Sequence, residues 1–304
     1  MAILENESLK VSIRNKGAEL ISVFDKSTHT EHLWQGDPKF WGWHAPNLFP
    51  VVGGCLKNQI QVNGKAYLME RHGFARQSEF TLVEASPSQA VFSLQSNPHT
   101  LTTYPYHFEF QVIYALSGRK LKVTYRVRNK GQETMYFSVG AHPAFNVPFS
   151  PGENYSDYYL EFEQEEKLER HLLASSGLFN GKTEVVPLQG NKLSLSQELF
   201  NKDALVFKNI SSRIITLRSK NHNQSIKVAF QDFPYLGIWA KPGASFVCIE
   251  PWLGCADTEG KAVDISQKEA IQNLKAGGIF EKAISSMLPN PILWMASFTI
   301  QIGE

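Results

Sequence analysis

Residues 106–131, YHFEFQVIYALSGRKLKVTYRVRNKG, decide the fold class. They hold two runs in which apolar and polar side chains alternate, and the runs stop at Ser, Gly or Asn. Successive side chains of a strand point to opposite faces, so alternation of period two marks a strand with one face buried. The same pattern returns in SLKVSIRNKG (8–17), AVFSLQS (90–96), SRIITLRSK (212–220), QSIKVAFQD (224–232) and YLGIWAKPGASFVCIEPW (235–252). Within QIQVNGKAYLM (59–69), Asn63-Gly64 is the dipeptide of a tight hairpin turn. Many short strands at this spacing predict an all-β sandwich. Helix signals are sparse. Ser266 with Glu269 reads as a capping box ahead of AIQNLKAGG (270–278), which predicts one short helix. Residues 150–200 show no clear period and read as irregular, and 291–302 read as the last strand. Residues 279–290 suggest no role. With no linker, repeat or low-complexity segment, 1–304 reads as one domain.

Composition excludes several classes of function. Lys plus Arg number 30 and Asp plus Glu 29, a net charge of +1 with no general attraction to nucleic acid or an anionic membrane. The densest charge run, EFEQEEKLER at 161–170, reads as a solvated strand edge or loop. Cys55, Cys248 and Cys255 form no CxxC or zinc spacing, so they read as reduced thiols of a cytoplasmic protein. MAILENESLK carries acids where a signal peptide needs an apolar core, so export is not expected. The longest apolar run, PILWMASFTI, is shorter than the roughly 20 residues of a membrane span. Oligomeric state is left open; a homodimer is compatible with the chain.

Three residues stand out as candidates for chemistry. His72 lies in RHGFAR, His142 in VGAHPAFN and Glu250 in FVCIEPW, each beside Gly or Pro and next to an apolar run. Strand ends on a rigid scaffold present side chains to ligands. Two imidazoles and a carboxylate can move protons near neutral pH, because histidine titrates there and burial tunes a glutamate upward. A carboxylate ending an apolar strand is costly to bury unless it is paired, which favours a functional reading of Glu250. His29 and His32 form an HxxH with His44 nearby, but no third oriented ligand follows, so no metal is expected.

In chain order these motifs are HGFAR (72–76), AHPAFN (141–146), NKDALVF (201–207), DFPYLGIW (232–239) and IEPWLGCAD (249–257), preceded by GAEL (17–20), HLWQGDPKFW (32–41) and APNLFPVVG (45–53). The set resembles the aldose 1-epimerase (galactose mutarotase-like) family, and within it the LacX-like branch. The resemblance spans roughly residues 10–260. It implies a β-supersandwich and interconversion of the α and β anomers of an aldose, with no cofactor. It assigns Glu250 as base and His142 as acid, with His72 at the ring oxygen or a neighbouring hydroxyl. Ring opening takes a proton from the C1 hydroxyl and gives one to the ring oxygen. That calls for a base and an acid on opposite sides of C1.

Four further residues are assigned with rivals. Asp203 would accept hydrogen bonds from sugar hydroxyls or be a turn residue, and Asp232 reads as a strand-end turn residue. Arg76 would hold hydroxyls or a phosphate, or else pair with Glu79. Related hexose-6-phosphate mutarotases carry an HGFAR-type motif, so the expected partner is a hexose or a hexose phosphate. Only Arg71, Arg76 and Lys57 are cationic near that motif, which inclines the reading to the free sugar. Of the six tryptophans, Trp252 is the one expected to face a sugar. LKNQI (56–60) places Gln59 where galactose mutarotases have the Arg of Asn-Arg-Ile, with Lys57 a substitute in charge. That departure leaves a second function open, a non-catalytic sugar-binding protein on the same fold. A glycoside hydrolase ranks last, because it needs two carboxylates facing one bond.

Overall fold

A computed structural model describes residues 1–289. Two large antiparallel sheets dominate it. One has nine strands in the spatial order Lys192–Ser194, Tyr158–Phe162, Ile214–Ser219, Ser225–Ala229, Ile279–Met287, Lys120–Asn129, Phe108–Ser117, Gln89–Gln95 and Thr81–Ala85. The stretch read first folds as the hairpin at its heart: Phe108 pairs with Asn129 and Ser117 with Lys120. Phe108, Phe110, Val112 and Tyr114 point to one face and are buried, as period two requires.

The second sheet runs Phe179–Val185, Glu169–Leu173, Leu205–Lys208, Tyr235–Trp239, Phe246–Leu253, Val139–Ala141, Asn47–Leu48, with Ala144–Asn146 also paired to Phe246–Leu253. One apolar cluster takes side chains from both sheets, among them Phe110, Tyr125, Ile238 and Ile249. The sheets therefore pack as a sandwich, the all-β architecture that the alternation predicts. Four N-terminal strands make a smaller sheet, and Asn63-Gly64 turns a hairpin between Gln59–Val62 and Lys65–Leu68. Among the described residues no helix is long and apolar enough to cross a membrane.

Three sequence expectations change. Residues 150–200 are not irregular: strands Tyr158–Phe162, Glu169–Leu173, Phe179–Val185 and Lys192–Ser194 lie there. Buried Arg170 pairs with Glu184 across two of them, a contact that local sequence does not reveal. EFEQEEKLER spans one strand end, a loop and the next strand start. Second, the helix after Ser266 does not form. Asp264 accepts from the Ser266 N–H (3.0 Å) and caps a single 3₁₀ turn, Ile265–Gln267, while Glu269 is drawn to Lys208 at 2.7 Å. Among the described residues the α-helix that does form is Pro98–Leu101, with Asn97 as N-cap and Pro98 in the first turn. Third, the segment after residue 277 supplies strand Ile279–Met287 to the middle of the large sheet, paired with Lys120–Asn129. The proposed last strand at 291–302 lies outside the described residues.

Candidate active site

Strand Phe246–Leu253 is buried along its whole length. Phe246, Val247, Cys248, Ile249 and Leu253 belong to the main core cluster, and Trp252 to a second, smaller one. Period two sets Cys248, Glu250 and Trp252 on one face of the strand, opposite Val247, Ile249 and Leu253. On one side its register pairs Gly140 with Trp252 and Ala144 with Cys248. Continued between those pairs, the register sets His142 opposite Glu250, and His142 Nε2 lies 3.1 Å from Glu250 Oε2. On the other side Gly237 is the partner of Glu250. A Cβ on Gly237 would lie 2.5 Å from the Trp252 ring, and one on Gly140 also 2.5 Å from it. Two glycines thus let the indole lie flat across three strands.

His72 reaches the pair from the RHGFAR turn. Its backbone is left-handed (φ 68°), as is that of Gly73, where a Cβ would stand 2.3 Å from the Phe49 carbonyl oxygen. Glycine alone fits there. The Gly53 N–H donates to His72 Nδ1 (3.1 Å). An N–H can only donate, so Nδ1 is unprotonated and the neutral ring carries its proton on Nε2. Burial, then the nearby His142, Arg76 and Arg71, push the His72 pKa well below the ordinary histidine value. His72 is therefore a fixed hydrogen-bond donor rather than a proton source.

These residues line a cavity of about 310 Å³, the lower end of the size range for small-molecule sites. His72, Arg76, His142, Asp203, Glu250 and Trp252 all border it, so the structure brings the whole predicted set together. Asp203 sits at the rim in a left-handed turn (φ 69°) with its carboxylate on the Ala204 N–H at 2.8 Å. It is a turn residue and a cavity residue at once. Asp232 is elsewhere, paired with Lys282 at 2.9 Å, in keeping with a turn role. Arg76 does not pair with Glu79. Its Nη2 donates to the Arg71 carbonyl (3.0 Å), its guanidinium lies 5.4 Å from the Trp43 ring, and its buried Nε has no partner.

Some members of the site were not assigned from sequence. Trp41 stacks on His142 with centroids 4.9 Å apart and planes at 26°, and Trp239 meets the same imidazole edge-on at 5.9 Å. HLWQGDPKFW was legible as a motif, but nothing local tells that its last residue folds over His142. Lys241 and Arg71 also border the cavity, whereas Lys57 and Gln59 do not. Lys57 is thus no substitute for the absent arginine, because it lies in the 3₁₀ turn Leu56–Asn58 ahead of the hairpin. The histidines of the HxxH do not converge: His29 packs on Phe24, His32 on Phe149, and His44 lies 3.9 Å from Glu19. A larger, open groove of about 880 Å³ is lined by Tyr159, Lys192, Arg218 and His222, away from the acid–base pair.

Electrostatics divide the pair in an informative way. Burial, reinforced by Asp203, pushes the Glu250 carboxyl well above its ordinary range. Burial and the Arg76 charge push His142 down to about 3, against an opposing hydrogen bond from the ring to its own backbone carbonyl. Together they form a unit that holds one proton across neutral pH, shared along the 3.1 Å contact. Desolvation favours that proton on the carboxyl. The two residues expected to act as acid and base adjoin, with His142 Nε2 and Glu250 Oε2 3.1 Å apart.

A β-sandwich with a buried carboxyl–imidazole pair at the floor of a sugar-sized cavity defines the class. The chain belongs to the aldose 1-epimerase family, whose model it matches over residues 2–258. Protein LacX (plasmid) of Lactococcus lactis subsp. lactis is 38% identical over 261 residues, covering 83% of this chain and 87% of that protein. A galactose mutarotase related enzyme from Lactobacillus acidophilus superposes with a TM-score of 0.90 at 34% identity, covering 95% of this chain and 97% of that one. A galactose mutarotase-like protein from Lactobacillus casei ATCC 334 gives 0.89 at 34% identity, covering 95% and 100%.

Proposed function

We propose that the chain is an aldose 1-epimerase that interconverts the α and β anomers of a hexose, with Glu250 as base and His142 as acid. The observation that carries this reading is the 3.1 Å His142–Glu250 contact on the cavity floor. Turnover of the closed ring first moves the shared proton from the carboxyl, where burial favours it, to His142. Glu250 takes the proton of the C1 hydroxyl while His142 gives its own to the ring oxygen, and the C1–O5 bond breaks. The pair is then a carboxylic acid beside a neutral imidazole, the form that burial favours. Rotation about C1–C2 exposes the other carbonyl face. Reclosure returns one proton to each original holder, so no cofactor is consumed. His72 donates from Nε2 to a sugar oxygen, Asp203 and Arg76 hold hydroxyls, and the Trp252 ring lies under the sugar.

A second reading concerns the substrate. Arg71, Arg76 and Lys241 border the cavity, and none of them forms an ion pair among the described residues. Three such cations suit a hexose 6-phosphate. Against this, the turn at Ala75–Gln77 is a single 3₁₀ turn and offers no helix N-terminus for phosphate. The unpaired Cys55, Cys248 and Cys255 support a cytoplasmic location. One core cluster reaching from Ala2 to Leu288 supports treating the described residues as one domain. The test is anomer exchange, followed by polarimetry or NMR on chelator-treated protein, over free aldoses and their 6-phosphates. Acceleration of at least one hexose is expected. Binding without acceleration of any would assign the chain to the non-catalytic alternative.

A further inference from the structure

Cys248 has no part in that chemistry, yet it stands beside it. It precedes Glu250 by two positions on the same face of the strand and is wholly buried. Its cross-strand partner on the His142 side is Ala144. Ligating atoms of His142, Cys248 and Glu250 all lie within 4.8 Å of one another, and no other such group occurs among the described residues. One imidazole nitrogen, one sulfur and one carboxylate oxygen are the donor types that zinc accepts, whereas magnesium and calcium take oxygen alone. Three protein ligands leave a fourth tetrahedral position open, and two of the three, His142 and Glu250, border the cavity.

Charge balance supports the same ion. A divalent cation with a thiolate, a carboxylate and a neutral imidazole is uncharged overall, so its burial leaves no net charge in the core. Forming it releases two protons, one from the thiol and the one shared by His142 and Glu250. The ion therefore takes both the proton and the lone pairs that anomer exchange needs.

We propose that His142, Cys248 and Glu250 form a binding site for a thiophilic divalent cation, best fitted by Zn²⁺, and that the bound ion switches off the acid–base pair. The inhibition rests on the epimerase reading; the binding does not.

The test uses the full chain after chelator treatment. Titration with CdCl₂ reads the thiolate-to-metal charge-transfer band, and titration with ZnCl₂ is followed by calorimetry. The expected result is one equivalent bound, with a charge-transfer band for Cd²⁺. Cys248→Ala loses the band and weakens binding by more than about tenfold, the least that removal of a direct ligand should cost when outer-shell changes already cost 10–100-fold. Glu250→Gln keeps the thiol and the band but binds more weakly, which guards against a folding defect in the cysteine variant. Cys55→Ala and Cys255→Ala keep the band. In the exchange assay Zn²⁺ stops the wild type, a chelator restores it, and Cys248→Ala turns over at zinc concentrations that stop the wild type. A wild type that binds neither ion overturns the proposal. So does a band that survives Cys248→Ala or vanishes with Cys55 or Cys255. If no sugar is epimerised, the functional reading fails while the spectroscopic titration still decides the site.

Discussion

Asp25 and Glu250 are both carboxylates with almost no exposed surface, at 2% and 1%, and both face a histidine. Burial alone would raise each. Asp25, however, is gripped from several sides. His32 lies 4.0 Å away, Arg119 pairs with it, and the Ser27 N–H and hydroxyl donate at 2.9 and 2.6 Å. These donors outweigh burial and hold its pKa well below the ordinary carboxylate value. Among the described residues Glu250 has a single ion-pair partner, His142, and borders the cavity, so burial wins and its pKa rises. A buried acid with its lone pairs filled is part of the frame. One left short of donors beside a cavity is available for proton transfer.

The sharpest way to break that contrast is to neutralise each acid. Glu250→Gln keeps the shape and can donate to His142 Nε2, but it cannot accept a proton. Anomer exchange should fall by about 10²–10⁴, with sugar affinity and fold retained. Near-normal turnover would remove Glu250 from the mechanism. Asp25→Ala should do the reverse. Removing one partner of a buried ion pair costs about 3–5 kcal/mol, here strands the Arg119 guanidinium, and should leave kcat of the surviving folded protein near wild type. Denaturant unfolding beside the exchange assay separates the two effects.

The contrast was only partly legible in the sequence. Alternation over 106–131 and 246–252 needs no long-range information, so the strands and the inward position of Glu250 could be read directly. Once 246–252 is a strand, period two also sets Cys248 beside Glu250, a step the motif reading passed over. His142 opposite Glu250 required the register of two strands about a hundred residues apart in the chain, which only the fold supplies. The same holds for Trp41 over His142. The misplaced helix after Ser266 has a comparable cause. Lys268 is buried against Asp257, and Glu269 is taken by Lys208 and Tyr235, so tertiary pairing overrode a local capping signal.

Acidity separates the regions next. Glu250 has a raised folded pKa, so its contribution to stability is full below its ordinary value of 4.5 and is lost as pH rises toward the folded value. Asp25, with a lowered pKa, contributes above its ordinary 3.8 and loses that contribution as pH falls. His142, held at about 3 against an ordinary 6.5, also destabilises the fold as pH drops through that interval. The Tm of Glu250→Gln minus that of wild type should therefore grow as pH is raised above about 4.5. A difference that shrinks with pH would show that Glu250 is ionised in the fold. Activity follows the shared proton. In metal-free protein kcat/KM should be flat through neutrality, fall toward pH about 3 as His142 takes a second proton, and fall on the alkaline side when the pair loses its only one. At ordinary pKa values a Glu250 base would set the acidic limb and a His142 acid the alkaline one. The directions of burial exchange those labels, and a lone limb near 6.5 would restore them.

The smallest effect sharpens the substrate side of the cavity. Arg76 is one cation among three at the border, and its Nη2 is already engaged with the Arg71 carbonyl at 3.0 Å. Its unpartnered Nε is the donor left for a ligand. A single hydrogen bond from a charged donor contributes about 1.5–3 kcal/mol, so Arg76→Ala should raise KM for a free hexose roughly tenfold or somewhat more and change kcat little. For a hexose 6-phosphate the same change removes charge as well as a donor, while Arg71 and Lys241 remain. With no helix N-terminus to share the dianion, we expect wild type to use the free hexose at least as efficiently as its 6-phosphate, and Arg76→Ala to weaken both. The measurement is kcat/KM for glucose and galactose against the matching 6-phosphates in both proteins. A strong wild-type preference for the phosphate that disappears in Arg76→Ala would make the cationic border, rather than the tryptophan floor, the part of the site that selects the sugar.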